Sequence, residues 1–299
     1  MNKTKWSDWW QLLRAGNVFT AVSNVLAGFL LVRGEWQPLL PLVMLAATSA
    51  LLYLAGMVLN DVFDLEIDRV ERPDRPLPAG RIPPIAAKRV GWLLLFGGLT
   101  LAGVVGSLVE SWLPLTMSGL LALAIVGYDA LLKSTVAGPW TMALCRSLNV
   151  LLGASLVEHS SDKSSAYVYA AAIGVYTLGL TLLARNEAGE TTPRAIKKSA
   201  NVIQIALIGF LAIAAFETLP AYGWIAGWLI VVFAARIAVF EAFLDPTPSS
   251  VQKAVSRLIM LFIPLDALAG AAGTDWIAGL VILSLMVPTY VATRRIAMT

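Results

Sequence analysis

Ten apolar stretches of about 18–25 residues succeed one another along this 299-residue chain, parted by polar loops. They cover roughly 10–32, 39–60, 85–108, 112–131, 138–157, 166–185, 198–217, 221–243, 254–271 and 275–293. A run of that length with few charges is what a transmembrane helix needs, because the hydrocarbon core is about 30 Å thick. The expected fold is therefore all-α: a polytopic membrane helical bundle of nine to ten transmembrane helices, forming one domain over residues 1–299. With 58% hydrophobic and 14% charged residues and a mean hydropathy of +0.75, an ordinary soluble globule is excluded. The N-terminus, Met1 to Trp6, is short and basic. No small-residue cleavage site follows its apolar stretch, so the first helix reads as retained and not as a removed signal peptide.

Basic residues set the expected orientation. Lys3, Lys5, the block from Arg69 to Arg89, Lys133, Arg185, Arg194, Lys197, Lys198, Lys253, Arg257, Arg294 and Arg295 fall at the termini or in even-numbered loops. The odd-numbered loops hold little beyond Arg33 and Lys163. The positive-inside rule then puts both termini on the cytoplasmic side. The expected location is a bacterial inner (plasma) membrane, with the protein integral to it. The net charge of +3 comes mainly from these loops, so it reflects topology and implies no nucleic-acid partner. Trp6, Trp9, Trp10, Trp36, Trp112, Trp224 and Trp276 lie near stretch ends, as interface anchors do.

Directly after the second stretch comes Asn60-Asp61-Val62-Phe63-Asp64-Leu65-Glu66-Ile67-Asp68-Arg69. Charge at the end of a membrane helix needs a reason. Asn60, Asp64 and Asp68 recur at i, i+4, i+8 and share one helix face, and Asp61 reaches the same side through Asp64 at i+3. Crowded carboxylates repel one another unless a cation neutralises them, and hard oxygen donors suit Mg²⁺, which keeps waters and bridges to phosphates. Arg69, Arg72, Arg75, Arg81, Lys88 and Arg89 follow with complementary charge. The motif reads as a metal–diphosphate site at a membrane mouth, facing the cytoplasm. Glu66 and Glu71 point off the stripe and read as solvated; Arg72, Arg81, Lys88 and Arg89 read first as topology signals.

Polar residues inside the stretches face a bundle interior or a wet cavity more often than lipid. Arg14 and Asn17 are one turn apart in the first stretch, with Asn24 beyond them; Arg146 and Asn149 are one turn apart in the fifth. Each pair either lines a site or bonds one helix to another. Asp266 precedes a run of small residues and reads as packing. Cys145 reads as a buried small hydrophobe and His159 as a solvated loop residue. The absence of a GxxxxGK[ST] run argues against a nucleotide-driven transporter.

With Asn60-(x)3-Asp64-(x)3-Asp68 and Arg-Pro-Leu-Pro-Ala-Gly at 75–80, the chain resembles the UbiA superfamily of intramembrane prenyltransferases. The stretch Gly127-Tyr128-Asp129-Ala130-Leu131-Leu132-Lys133 is similar to the family's Tyr…Leu-Lys element. Arg14-Ala15-Gly16-Asn17 is similar to its opening Arg-x-x-Asn/Thr. Where the family carries a second Asp-x-x-x-Asp, this chain has Arg185-Asn186-Glu187-Ala188-Gly189-Glu190. Asn186 adds no charge there, and each Glu shifts its oxygens by about a bond length. That departure resembles the EboC-like subgroup, and ten stretches depart from the family's usual nine.

The resemblance implies Mg²⁺-dependent transfer of a prenyl group from an allylic isoprenyl diphosphate to an unidentified small-molecule or lipid acceptor. On it, Asn60, Asp61, Asp64 and Asp68 hold one Mg²⁺, and Asn186, Glu187 and Glu190 another. Asp64, Asp68, Lys133 and Tyr128 carry the chemistry, while Arg14, Asn17, Arg69, Arg75, Arg146, Asn149 and Arg185 bind substrate. The tail would lie among membrane lipids and helices, with the allylic cation against Tyr53, Phe63 or Tyr128. Asp129 stays outside this core site. The alternative is a UbiA-fold protein that binds or moves an isoprenoid or lipid precursor without transfer.

Overall fold

Every apolar stretch becomes helix. The computed structural model describes residues 6–157, 164–185, 192–217 and 221–297. Among these, the regular elements are all helical. A short helix α1 (Trp6–Leu12) and a 3-10 turn (Ala15–Asn17) lead into α2 (Val18–Arg33), α3 (Leu39–Phe63), α4 (Leu65–Glu71), α5 (Pro84–Leu108) and α6 (Leu113–Gly127). A π-helical turn (Tyr128–Leu132) ends α6. Then follow α7 (Gly138–Ala154), α8 (Ser164–Ala184), α9 (Pro193–Phe210), a 3-10 turn (Leu211–Ala215), α10 (Ala221–Leu244), α11 (Pro248–Met260), α12 (Phe262–Gly273), α13 (Trp276–Ser284) and α14 (Met286–Ala297).

Among the described residues nine helical stretches are long and apolar enough to cross a bilayer, which makes this an integral membrane protein. The remaining stretch is α7, 17 residues long, packed against α2, α6 and α8. One expectation changes at the first stretch. The expected helix over about 10–32 is broken, because Arg14 adopts φ 45°, ψ 44° between α1 and the 3-10 turn. A left-handed residue cannot continue a right-handed helix, so α1 turns away before the membrane segment starts.

Burial sorts the helices. The stretches Ala15–Arg33, Ser164–Ala184 and Pro248–Gly273 are mostly buried, whereas Tyr222–Leu244 and Trp276–Thr293 are mostly exposed. Leu93, Leu123, Ile230 and Leu280 are exposed on outer helices, as expected for a surface solvated by lipid tails. The inner helices meet through small residues. A Cβ at Gly28 would run into the Val150 carbonyl oxygen, and one at Gly153 would run into that of Val25. These reciprocal glycines let the α2 and α7 backbones touch, and the polar side chains flanking them meet across the seam. Between α8, α9 and α10, Phe210 stacks on Trp224 at 5.4 Å and meets Tyr169 edge-on at 5.6 Å.

Candidate active site

The acidic segment straddles a helix joint without losing its ladder: Asp64 N–H donates to Asn60 O at 2.9 Å and Asp68 N–H to Asp64 O at 2.8 Å. The side chains divide into two cation-held pairs. Lys133 Nζ donates to Asn60 Oδ1 at 2.8 Å and also to Asp64. Arg75 Nη1 lies 2.7 Å from Asp68 Oδ2 and 3.5 Å from Asp61 Oδ1. Arg14 Nη2 donates to Asp61 at 3.1 Å, and the Asn60 amide to Asp61 at 3.3 Å, which ties the pairs into one cluster. Arg14, which makes this contact, is also the residue in the left-handed conformation between α1 and the 3-10 turn, and such outliers concentrate at functional sites.

Two local devices hold these cations. In the Arg-Pro-Leu-Pro-Ala-Gly loop, Leu77 and Ile82 bury against Leu12, Val58 and Ala87, which anchors the loop beneath α1. Gly80, at φ 67°, makes the turn that a residue with a Cβ rarely adopts. Arg81 Nε donates to Asp8 at 2.8 Å, so α1 is fastened to the same loop. Lys133 depends instead on the π turn, whose wider closure brings Lys133 N–H onto Tyr128 O at 3.0 Å. Arg185 then donates to the carbonyls of Lys133 and Thr135, holding the segment that carries the lysine.

Below the cluster lies a cavity of about 330 Å³ between α2, α3, α6, α7, α8, α11 and α12. Arg14, Asn17, Tyr53, Tyr128, Asp129, Arg146 and Asn149 are on its wall with Met57, Leu121, Ile125, Leu180 and Phe262. It is an apolar chamber with charged ends. Asn149 is held by Ala21 O at 2.8 Å and by the Ser49 hydroxyl at 2.7 Å. Arg146 donates to Thr20 O, Thr20 Oγ1 and Asn24 Oδ1, each at 3.0 Å, and its guanidinium sits 4.4 Å from the centre of the Phe262 ring. Asn24 in turn donates to Asp266, at 2.7 and 2.8 Å, and Ser23 and Tyr169 donate to the same carboxylate. The result is a fully buried polar hub behind the cavity wall.

The chain matches the UbiA prenyltransferase family over residues 21–263. It is a member of that family. A digeranylgeranylglyceryl phosphate synthase of Methanobrevibacter smithii is 34% identical over 125 residues, 42% of this chain and 43% of that protein. The chain spans about half the length of the curated relatives it matches. A UbiA homologue of Aeropyrum pernix K1 superposes with a TM-score of 0.66 at 18% identity, over 85% of this chain and 96% of the other. A UbiA homologue of Archaeoglobus fulgidus bound to DMAPP and Mg²⁺ gives 0.59 at 17%, over 93% and 99%.

Against the pattern expected of a UbiA member, Asn60, Asp61, Asp64, Asp68, Lys133, Arg14 and Arg75 share one polar cluster, and Asn17, Tyr128, Arg146 and Asn149 line the cavity beside it. Arg69 lies elsewhere: it pairs with Glu66 at 2.8 Å on the exposed face of α4. Arg185 holds loop carbonyls, and Phe63 is exposed. Asn186, Glu187 and Glu190 lie outside the described residues, as does His159. Among the described residues no three His, Cys, Asp or Glu side chains gather to hold a metal. Asn60 and Asp64 nevertheless grip a cation, the Lys133 ammonium, and are oxygen donors of the kind a hard divalent ion takes together with water and phosphate oxygens. Sequence reasoning missed Phe262 and Ser49 on the cavity wall and left Asp129 out. The Tyr128–Lys133 spacing of five carried a signal, since only a widened turn brings both to one side.

Proposed function

We propose that this chain transfers an isoprenyl group from an allylic diphosphate to an acceptor at the mouth of the cavity, with Mg²⁺ as cofactor. One observation carries the proposal: oxygen donors and cationic side chains converge on the charged end of an apolar chamber within the membrane. Asn60 and Asp64, with Asp61 and Asp68 beside them, would hold the ion, whose chemistry is to neutralise charge on the departing diphosphate. The side chains themselves orient and bind. Lys133, Arg75 and Arg14 hold fixed positive charge where diphosphate oxygens gain negative charge as the C–O bond breaks. Tyr53 and Tyr128 offer ring faces to the allylic cation. Met57, Leu121, Ile125 and Leu180 give the tail an apolar path, worth about 0.8 kcal/mol per buried methylene.

Arg185 brings the end of α8 against the Lys133 loop, which supports a second ion held by Asn186, Glu187 and Glu190 at the same mouth. The Asn186 position also supports a place near the EboC-like subgroup. The distribution of Lys and Arg supports a cytoplasmic mouth. Similarity to archaeal digeranylgeranylglyceryl phosphate synthases supports a glyceryl lipid as acceptor. The test is to incubate purified protein with labelled geranylgeranyl or farnesyl diphosphate, with and without Mg²⁺. Metal-dependent release of diphosphate, abolished by Asp64→Ala at unchanged expression, supports transfer. Tight donor binding without turnover would move the protein to the carrier role instead.

A further inference from the structure

Five aspartates are buried among the described residues; Asp8, Asp61 and Asp68 pair with arginines, and the surroundings of the other two, Asp266 and Asp129, differ. Asp266 accepts hydrogen bonds from Ser23, Asn24 and Tyr169, so its oxygens are fully engaged by the protein. Asp129 is 9% exposed, and among the described residues its Oδ2 has no hydrogen-bond partner. Buried polar groups are rarely left so, and an exception at a cavity marks a place kept for a ligand. Asp129 is on the cavity wall beside Tyr128, held there by the π turn that also presents Lys133. Arg14 of the diphosphate end lines the same cavity, and α3, which carries Asp61 and is capped by Asp64, packs against the turn that holds Asp129. It therefore stands where the diphosphate cluster meets the apolar chamber, the place for the donor's first carbon and an incoming acceptor. Among the described residues it joins no group of three acidic side chains that could hold a metal.

We propose that Asp129 takes the proton of a hydroxyl-bearing acceptor during prenyl transfer, an inference that rests on the prenyltransferase reading above. The acceptor oxygen bonds to the allylic carbon. The bond from that carbon to the diphosphate breaks, its electron pair leaving with diphosphate. The hydroxyl proton passes to an Asp129 carboxylate oxygen. The acceptor's O–H supplies the donor that Oδ2 lacks, and rotation about the soft terminal torsion of aspartate presents either oxygen to it.

The experiment uses the full chain in nanodiscs with tritiated geranylgeranyl diphosphate and Mg²⁺. The acceptor probe is geranylgeranylglyceryl phosphate, which is the product named for the relatives less one prenyl group. For Asp129→Asn we expect donor KM within about twofold of wild type and kcat for transfer lower by about 10²–10⁴, the usual contribution of a positioned base. Its unfolding midpoint should be close to that of wild type, because the amide keeps the side-chain shape and Oδ2 has no hydrogen bond among the described residues to lose. Asp129→Ala should regain at least about tenfold with added formate, a small replacement base. A kcat within about threefold of wild type overturns the proposal, as does a loss accompanied by a lower unfolding midpoint and no formate rescue. Wild type that releases diphosphate but never prenylates the glyceryl hydroxyl overturns the hydroxyl class. Wild type that releases none removes the prenyltransferase reading and this inference with it.

Discussion

Replacing Asp266 by alanine tests whether the buried polar hub holds the inner helices and aims Arg146. The carboxylate is fully buried on α12 and accepts from Ser23 at 2.5 Å, from Asn24 at 2.7 and 2.8 Å, and from Tyr169 on α8. Removing it strands three donors from two other helices. Side-chain hydrogen bonds between membrane helices are worth on average about 0.6 and at most about 1.7 kcal/mol each, so the expected loss is about 2–5 kcal/mol. The effect should spread beyond stability. Asn24 holds Arg146 at 3.0 Å through its Oδ1, and once released from Asp266 its amide is free to rotate. Surviving protein should therefore show a raised donor or acceptor KM. Unfolding in mixed dodecylmaltoside and SDS micelles, followed by tryptophan fluorescence, reads the first effect, since Trp224 stacks on Phe210 beside Tyr169. Asp266→Asn keeps the shape and one acceptor oxygen and should lose roughly half as much. Asp266→Ala that unfolds within about 0.5 kcal/mol of wild type would falsify the hub as a structural element.

Lys133→Met keeps side-chain length but withdraws the ammonium from Asn60 and Asp64, and we expect diphosphate release to fall by about 10²–10³. Because the Lys133 side chain is 35% exposed, its accompanying stability loss should stay near 1 kcal/mol, measured in the same micelles. Arg69→Ala is the control on the exposed face of α4: turnover within twofold of wild type is expected, and a loss of tenfold or more would mean that Arg69 leaves Glu66 for substrate. Gly153→Val drives a side chain into the Val25 carbonyl and should part α2 from α7, costing about 3 kcal/mol or more and lowering the yield of folded protein on gel filtration.

Much of this was legible in the chain itself. The acidic motif at the end of α3 and the basic motif after it predicted a shared cluster, and Asn60, Asp61, Asp64, Asp68 and Arg75 meet there because i, i+4 spacing and a rigid Pro-Gly loop are local properties. The pairing inside the cluster was not legible. Lys133 is 73 positions from Asn60, and only the packing of the π turn on α3 brings them together. Nor did spacing separate Arg75 from Arg69. Both follow the motif closely, but Arg69 lies where α4 faces outward and Arg75 where the loop folds back beneath α1.

Hydropathy is additive along a chain, so the sequence alone determined a helical membrane protein and where its apolar helices run, but not the break at Arg14. Which buried acid is bound and which is left open depended on neighbours that no local pattern encodes. Asp266 and Asp129 look alike in the sequence as single carboxylates within or beside apolar runs. Tertiary structure surrounded one with three donors and, among the described residues, left an oxygen of the other without any, because hydrogen-bond satisfaction is set by what neighbouring helices present at a given depth.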